Sequence, residues 1–340
     1  MKLLSLFFLI LWYGCQTDRP KIMTVTGPIH PGEMGLTLEH EHVTTDFIGA
    51  EKTKQPQYPV DTALAKLLPF FVELKASGVQ TLVECTPAHI GRDVLLLREI
   101  SQKTGLNILT NTGYYAAVQK KYLPAHAYSE TARELAKRWI SEWETGIDGT
   151  GVKPGFIKLG VGKSQLDTME QKIVRAGALT HLETGLKIAI HTGSGLAAND
   201  EVDILAGEGV APGALIVVHA QNCSSEDQIS LAQRGCWISL DGIGAKPDKI
   251  ERYLGFLLAL KEASLLHRVL ISHDNGWAVI KNEDGCIGFE MFGADGAKPY
   301  AAIFDSLVPA LMNAGFTREE IDLILVQNPS AAFTIEKLTL

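Results

Sequence analysis

The chain has 340 residues, 46% of them hydrophobic and 21% charged, with a formal net charge of −8. That is globular composition and excludes both a disordered chain and a multi-span membrane protein. The acidic balance argues against a nucleic-acid backbone as the main partner, and the length allows one large α/β barrel or two smaller domains.

The first fifteen residues, MKLLSLFFLILWYGC, stand apart. Lys2 precedes an apolar run over 3–13, then Gly14 and Cys15. The run is too short for a mature bilayer-spanning helix and has the length of the apolar region of an export signal. A cysteine directly after a small residue is similar to a bacterial lipoprotein signal, in which Cys15 becomes the lipidated N-terminus. Residues 1–21 are therefore read as signal plus polar tether, with an uncleaved N-terminal anchor as the alternative. The expectation is an exported envelope protein that touches a membrane only through Cys15. The other cysteines, Cys85, Cys223, Cys236 and Cys286, have no zinc-like spacing. Cys85 and Cys236 lie in apolar runs and read as buried thiols.

Residues 22–340 read as a single domain. A small strand pair is expected within 23–33. Strand-length apolar runs then recur at 35–38, 79–85, 107–112, 155–159, 187–190, 215–218, 237–240 and 269–271. Segments with helical spacing lie between most of them, at 62–75, 93–103, 130–143, 169–183 and 250–263, with another at 301–313. Gly78, Gly105, Gly146, Gly185 and Gly235 each follow a predicted helix, as a C-terminal cap does. Eight strands alternating with helices imply a parallel sheet, because parallel neighbours need a crossover. The expected fold is α/β, a closed (β/α)₈ TIM barrel with functional residues at the carboxyl ends of its strands. The alternative is an open doubly wound sheet, which would carry a G-x-G-x-x-G turn after its first strand; none is present. The segment 275–299 shows no clear period and reads as a long binding loop after the eighth strand.

Polar residues cluster at those strand ends. The first strand ends in LEHEH (His40, His42), the fourth in FIKLG (Lys158), the fifth in IAIHTG (His191) and the sixth in IVVHAQ (His219). The eighth ends in LISHDN (His273, Asp274). Alternate residues of a strand share a face, so His40 and His42 point to the barrel mouth and Glu41 points away. Two imidazoles on one face can hold a divalent cation at about 2.0–2.1 Å. His191 and His219 can serve a second, and Asp274 adds an oxygen ligand and a possible base. Lys158 sits in an apolar run, where it must be paired or snorkel to water. Beside two dications its ammonium is repelled, and the neutral amine can add carbon dioxide to give a bridging carbamate.

This constellation resembles the phosphotriesterase family of the amidohydrolase superfamily. The resemblance runs from about Val25 to Phe333 and includes TVTGPIHPGEMGLTLEHEH, IGRDV (90–94), TGYY (112–115) and QNPS (327–330). It implies a binuclear centre: His40, His42 and Asp274 on the buried metal, His191 and His219 on the exposed one. Carboxylated Lys158 and a hydroxide would bridge them. Imidazole ligands suit zinc first, with manganese, cobalt or iron as alternatives. Asp274 would move the proton. Tyr115 would reach the substrate oxygen, as a tyrosine does in the family's lactonases, while Tyr114 packs the other way. Many relatives dimerise, so a homodimer is possible.

Two departures bear on the substrate. Efficient phosphotriesterases of the family carry an aspartate after the sixth strand and a histidine after the seventh; here those positions are Asn222 and Gly242. Neither relays a proton, and the arginine frequent in lactonases at the latter position is also missing. Asp241 reads as a structural hydrogen-bonding residue or as a partner of a ligand. His89 is near the mouth, and His30, His126, His181 and His267 read as surface residues. Trp277, Phe289 and Phe292 either line an apolar pocket or anchor the 275–299 loop. The expected activity is metal-dependent hydrolysis of carboxylic esters or lactones with weak phosphotriesterase activity. The alternatives are a true phosphotriesterase and a non-catalytic ligand-binding barrel.

Overall fold

The structure is a computed structural model that describes residues 20–53, 57–282, 285–293 and 298–336. The apolar run and Cys15 lie outside the described residues.

A short antiparallel pair opens the fold, β1 (Ile22–Thr24) against β2 (Gly27–Ile29), with Ile22 opposite Ile29. The Val25 amide donates to the carbonyl of Ile108 at 2.8 Å, which docks the pair at the amino ends of the central strands. Those strands are β3 (Thr37–Glu41), β4 (Thr81–Glu84), β5 (Asn107–Leu109), β6 (Asn111–Thr112), β7 (Phe156–Gly160), β8 (Ile188–His191), β9 (Leu215–Val218), β10 (Trp237–Leu240) and β11 (Val269–Ile271). All pair in parallel, but in two sheets: β3-β4-β5 and β6-β7-β8-β9-β10-β11. The hydrogen-bonded ladder is thus two arcs, not the closed ring expected. At one seam the expected third strand is broken at Thr110, whose carbonyl accepts from Gly155 at 2.7 Å. At the other, β11 is only three residues long. There the chain just beyond it makes the contacts: Asp274 N–H donates to His40 O at 3.1 Å, and His42 N–H to Asn275 O at 2.7 Å.

The strands are buried on both faces, as parallel sheets covered by helices are. Ile188, Ile190, Leu215, Val217, Ile238 and Leu240 belong to the larger core with the surrounding helices, while Phe156, Ala189, Ile216, Trp237 and Leu270 form a second, inner cluster closed by Phe333. Lys158 shares the parity of Phe156 and so faces inward.

Helices Val60–Ala76, Val94–Thr104, Ala132–Thr145, Thr168–Thr184 and Pro247–Glu262 fall where the spacing predicts them. Two further helices, Gly195–Gly207 and Ser225–Gln233, start at side-chain caps from Ser194 and Ser224. Gly105 (φ 71°) and Gly185 (φ 76°) terminate their helices in the left-handed region, which glycine enters without steric cost.

Two further sequence expectations are corrected. The segment after β11 is not an irregular loop: β12 (Gly276–Lys281) pairs antiparallel with β13 (Ile287–Phe292). The hairpin is tied to the chain after β3, since Thr45 N–H donates to Trp277 O and Val279 N–H to Thr45 O, both at 2.8 Å. His181 is buried, not on the surface. Its Nδ1 meets the Leu186 carbonyl at 2.8 Å, and burial lowers its pKa, so the ring packs as a neutral group. Cys85, Cys223 and Cys236 are buried thiols, and Cys286 is exposed.

Candidate metal centre

The carboxyl ends of the central strands surround a cavity of about 170 Å³ that contains His40, His42, Lys158, His191, His219, Asp274 and Tyr115. Asp274 is central. Its Oδ1 lies 3.1 Å from His42 Nε2 and 3.4 Å from His40 Nε2, and its Oδ2 lies 4.0 Å from His219 Nδ1. The backbone there has φ 57°, in the left-handed region that few non-glycine residues enter. Lys158, 2% exposed, places Nζ 3.5 Å from His40 Nε2. The His191 ring lies 4.3 Å from that of His219 and 4.9 Å from that of Tyr115, centroid to centroid.

Two of the four histidines are hydrogen-bonded from behind, and a third lies close to a carboxylate. His42 Nδ1 meets Thr86 Oγ1 at 2.7 Å, His219 Nδ1 meets Asp241 Oδ1, and His40 Nδ1 lies 3.3 Å from Asp241 Oδ2. Partners of this kind orient the rings. Asp241 is fully buried and also accepts from the His219 amide at 3.0 Å and from Gln221 Nε2 at 2.9 Å. Asp241 is thus the partner of a candidate ligand, one of the two roles read for it from sequence, whereas Glu39 and Ser239 went unrecognised as parts of the site. The available signal was Ser239-x-Asp241, which repeats the alternate-residue spacing of His40-x-His42 at another strand end.

The electrostatics suit a cation. Burial, helped by the Lys158 ammonium, lowers His40 to about 4, and burial with the neighbouring His219 holds His191 well below its ordinary value. Both rings are neutral at pH 7 with lone pairs available. Burial alone would raise Asp274, but the hydrogen bond from His42 and the charges of His219 and His40 hold it below the usual carboxylate range. His219 goes the other way: Asp241 raises its pKa against the effect of burial. Burial pushes Glu39 up to about 8. Two groups of donors lie within 4.8 Å of one another, His40–His42–Asp274 and His219–Asp241–Asp274. Imidazole nitrogen plus carboxylate oxygen is the donor set of a divalent transition metal, so the residues present fit one.

The other candidates separate cleanly. Glu41 turns from the cavity and accepts from Ser272 Oγ, His273 N–H and Asn275 N–H, at 2.7, 2.9 and 2.9 Å. His273 is also outside, with Nδ1 2.7 Å from Glu41. Tyr114 packs against Trp139, and its hydroxyl meets His126 Nε2 at 2.9 Å, in a different cleft that also holds His89. Phe292 lines the cavity, 5.8 Å from the His42 ring, whereas Trp277 anchors the hairpin on Phe70 and Phe71, and Phe289 packs on Tyr58. Asn222 donates to the Thr192 carbonyl at 3.2 Å. Gly242 has φ 85°, and a Cβ there would sit 3.0 Å from Tyr253 Oη and 3.3 Å from Gln221 Nε2. Any side chain at 242 would therefore be strained and crowded.

The chain is similar to known proteins over most of its length. The chain is 29% identical over 307 residues to the phosphotriesterase homology protein of Escherichia coli, covering 88% of this chain and 98% of that one. It is 27% identical to the aryldialkylphosphatase of Saccharolobus solfataricus, over 90% and 97% of the two chains. A substituted variant of the phosphotriesterase-like lactonase of Deinococcus radiodurans superposes with a TM-score of 0.78 at 29% identity, over 92% and 99%. The buried His and Asp clusters are thus consistent with the binuclear metal site of such proteins. The model of the phosphotriesterase family matches residues 20–333, and the chain belongs to that family.

Proposed function

We propose that this family hydrolase is a binuclear metal enzyme that cleaves carboxylic esters or lactones at the mouth of a (β/α)₈ barrel. The observation that carries the reading is the convergence of His40, His42, Lys158, His219 and Asp274 on one buried point. His40, His42 and Asp274 would hold one cation, and His191 and His219 the other. Lys158, carboxylated by carbon dioxide, would bridge them. Zinc is the first candidate, with manganese, cobalt or iron as alternatives. When bound, the pair would lower the pKa of a shared water and polarise the substrate's carbonyl oxygen.

The chain's own residues supply the rest. Asp274, ionised and 32% exposed, can accept a proton as a tetrahedral species forms. Burial pushes the Tyr115 hydroxyl well above its ordinary range, so it remains a hydrogen donor to a substrate oxygen at neutral pH. Phe47, Ile90, Val118, Tyr122 and Phe292 give the cavity an apolar wall, suited to an uncharged acyl or alkyl group. Asn222 and Gly242 provide no relay from Asp274, which disfavours efficient phosphotriester hydrolysis.

The test is a rate panel on the chain from Thr17 onward, with zinc and bicarbonate: a γ-lactone, an acyl-homoserine lactone, an aryl carboxylic ester and an aryl dialkyl phosphate. The lactone or ester should show the highest kcat/KM, and a chelator should abolish it. A leading rate on the phosphate would reverse the substrate assignment; chelator-resistant turnover would remove the metal. We also propose export through residues 1–21 with lipid on Cys15; labelled fatty acid should enter the full-length chain expressed in bacteria and not a Cys15→Ser variant.

A further inference from the structure

Behind the histidines lies a buried acid–hydroxyl–acid chain. β3 shifts register against β4 between Leu38 and Glu41, and both Glu39 and His40 meet β10 and its carboxyl end. Glu39 Oε1 is 2.6 Å from Ser239 Oγ, Ser239 Oγ is 2.8 Å from Asp241 Oδ2, and Asp241 holds His219 Nδ1 and faces His40 Nδ1 at 3.3 Å. Glu39 is 1% exposed, and Ser239 and Asp241 are 0% exposed.

The donors can be counted. Ser239 has a single hydroxyl proton for two carboxyl neighbours. Asp241 is surrounded by donors: the His219 amide, His219 Nδ1 and Gln221 Nε2. It is the acceptor at its end, and Ser239 links it to Glu39 through contacts of 2.8 and 2.6 Å. A change at Glu39 therefore reaches Asp241 through one buried hydroxyl.

We propose that Glu39 and Ser239 are positioning residues for the metal centre: Glu39 orients Ser239, which orients Asp241 and through it the metal-binding edges of His219 and His40. The inference rests on the metal function proposed above. It adds a residue on the same strand as the His-x-His pair whose role is exerted through Ser239 of β10. Orienting partners of this kind change metal affinity by about 10- to 100-fold when removed.

The experiment measures zinc affinity of the metal-free protein, with bicarbonate, by competition with a chromogenic chelator. Wild type is compared with Glu39→Gln, Glu39→Leu and Ser239→Ala, and melting of each metal-free protein is recorded alongside. Glu39→Leu and Ser239→Ala should weaken at least one zinc site about tenfold or more, while metal-free melting stays near wild type. Glu39→Gln, which keeps a hydrogen-bonding group of the same length at Ser239, should bind zinc within about threefold of wild type. Unchanged zinc affinity in Glu39→Leu and Ser239→Ala would overturn the proposal. So would a loss in Glu39→Gln as large as in Glu39→Leu, because the charge at position 39 and not the hydrogen-bonded placement of Ser239 would then matter. A matched fall of affinity and metal-free melting would assign these residues to stability alone. Should Glu39→Leu not fold, Ser239→Ala, which removes a single oxygen, decides the matter. Wild type that binds no zinc would instead refute the metal function itself.

Discussion

Lys158→Met isolates the bridging role. The substitution keeps a long unbranched side chain in a site that is 2% exposed and removes the nitrogen that lies 3.5 Å from His40 Nε2. If Lys158 bears a carbamate, the variant loses a ligand to both cations. Structural zinc sites bind with about 10–16 kcal/mol from four ligands, so one ligand is worth roughly 3 kcal/mol and its loss weakens each cation about a hundredfold. Metal-free melting serves as the control, because an unbranched thioether of similar length fills the same buried space. The assay is metal content after gel filtration at submicromolar free zinc, with melting curves with and without zinc. Wild type should retain two equivalents and melt higher with zinc, and its reconstitution should be faster with bicarbonate. The variant should retain less than one and ignore bicarbonate. Two tightly held zinc ions with full activity in Lys158→Met would refute the bridging role.

Three other expectations follow from the same geometry. Tyr115→Phe should lower kcat/KM for a lactone by roughly tenfold or more with zinc content unchanged; an unaltered rate would reduce Tyr115 to packing against His191. Gly242→His, which places a histidine where a relay would stand, should fail to raise phosphotriester turnover and should destabilise by about 1–3 kcal/mol, since φ is 85° and the Cβ meets Tyr253 Oη at 3.0 Å; a stable variant with faster phosphate turnover would contradict the steric argument. Burial holds the Glu201 carboxyl well above its ordinary range against the opposing hydrogen bond from Thr192. The folded state therefore binds more protons than the unfolded one once pH passes about 4.3, and this group's contribution falls as pH rises toward the folded value. Glu201→Gln should melt near wild type at pH 4 and above it at pH 8; a difference independent of pH would mean the carboxyl is not held neutral.

Much of the architecture was legible because the central strands are short apolar runs with abrupt polar ends. For β9, β10 and β11 the apolar run and the strand coincide: Leu215–Val218, Trp237–Leu240 and Val269–Ile271. The same contrast made Lys158 and the terminal histidines conspicuous. What period-two reading misses is a change of register. The shift between Leu38 and Glu41 brings Glu39 toward Ser239, although alternation with His40 would send it outward. The β12–β13 hairpin was obscured for another reason. Its strands are half-buried and its inward residues, such as Trp277 and Phe289, pack on distant helix and loop residues, so the apolar signal is sparse along the chain. His181 shows the reverse error: a polar residue type was assigned to the surface, but a neutral ring with a carbonyl partner costs little to bury.

The hairpin also offers a spectroscopic handle. Phe292, in the cavity wall, pairs with Gly276 at the base, and Ile287 pairs with Lys281 five register steps away, about 17 Å along the strand. Cys286, exposed beside that far end, differs from the buried Cys85, Cys223 and Cys236. In the chain from Thr17 onward a thiol-directed fluorophore would attach there selectively, on the same hydrogen-bonded ladder as the substrate wall yet well away from the metal ligands. Its anisotropy and quenching would follow the movement of that wall in real time as substrate enters and product leaves, without altering a residue of the centre.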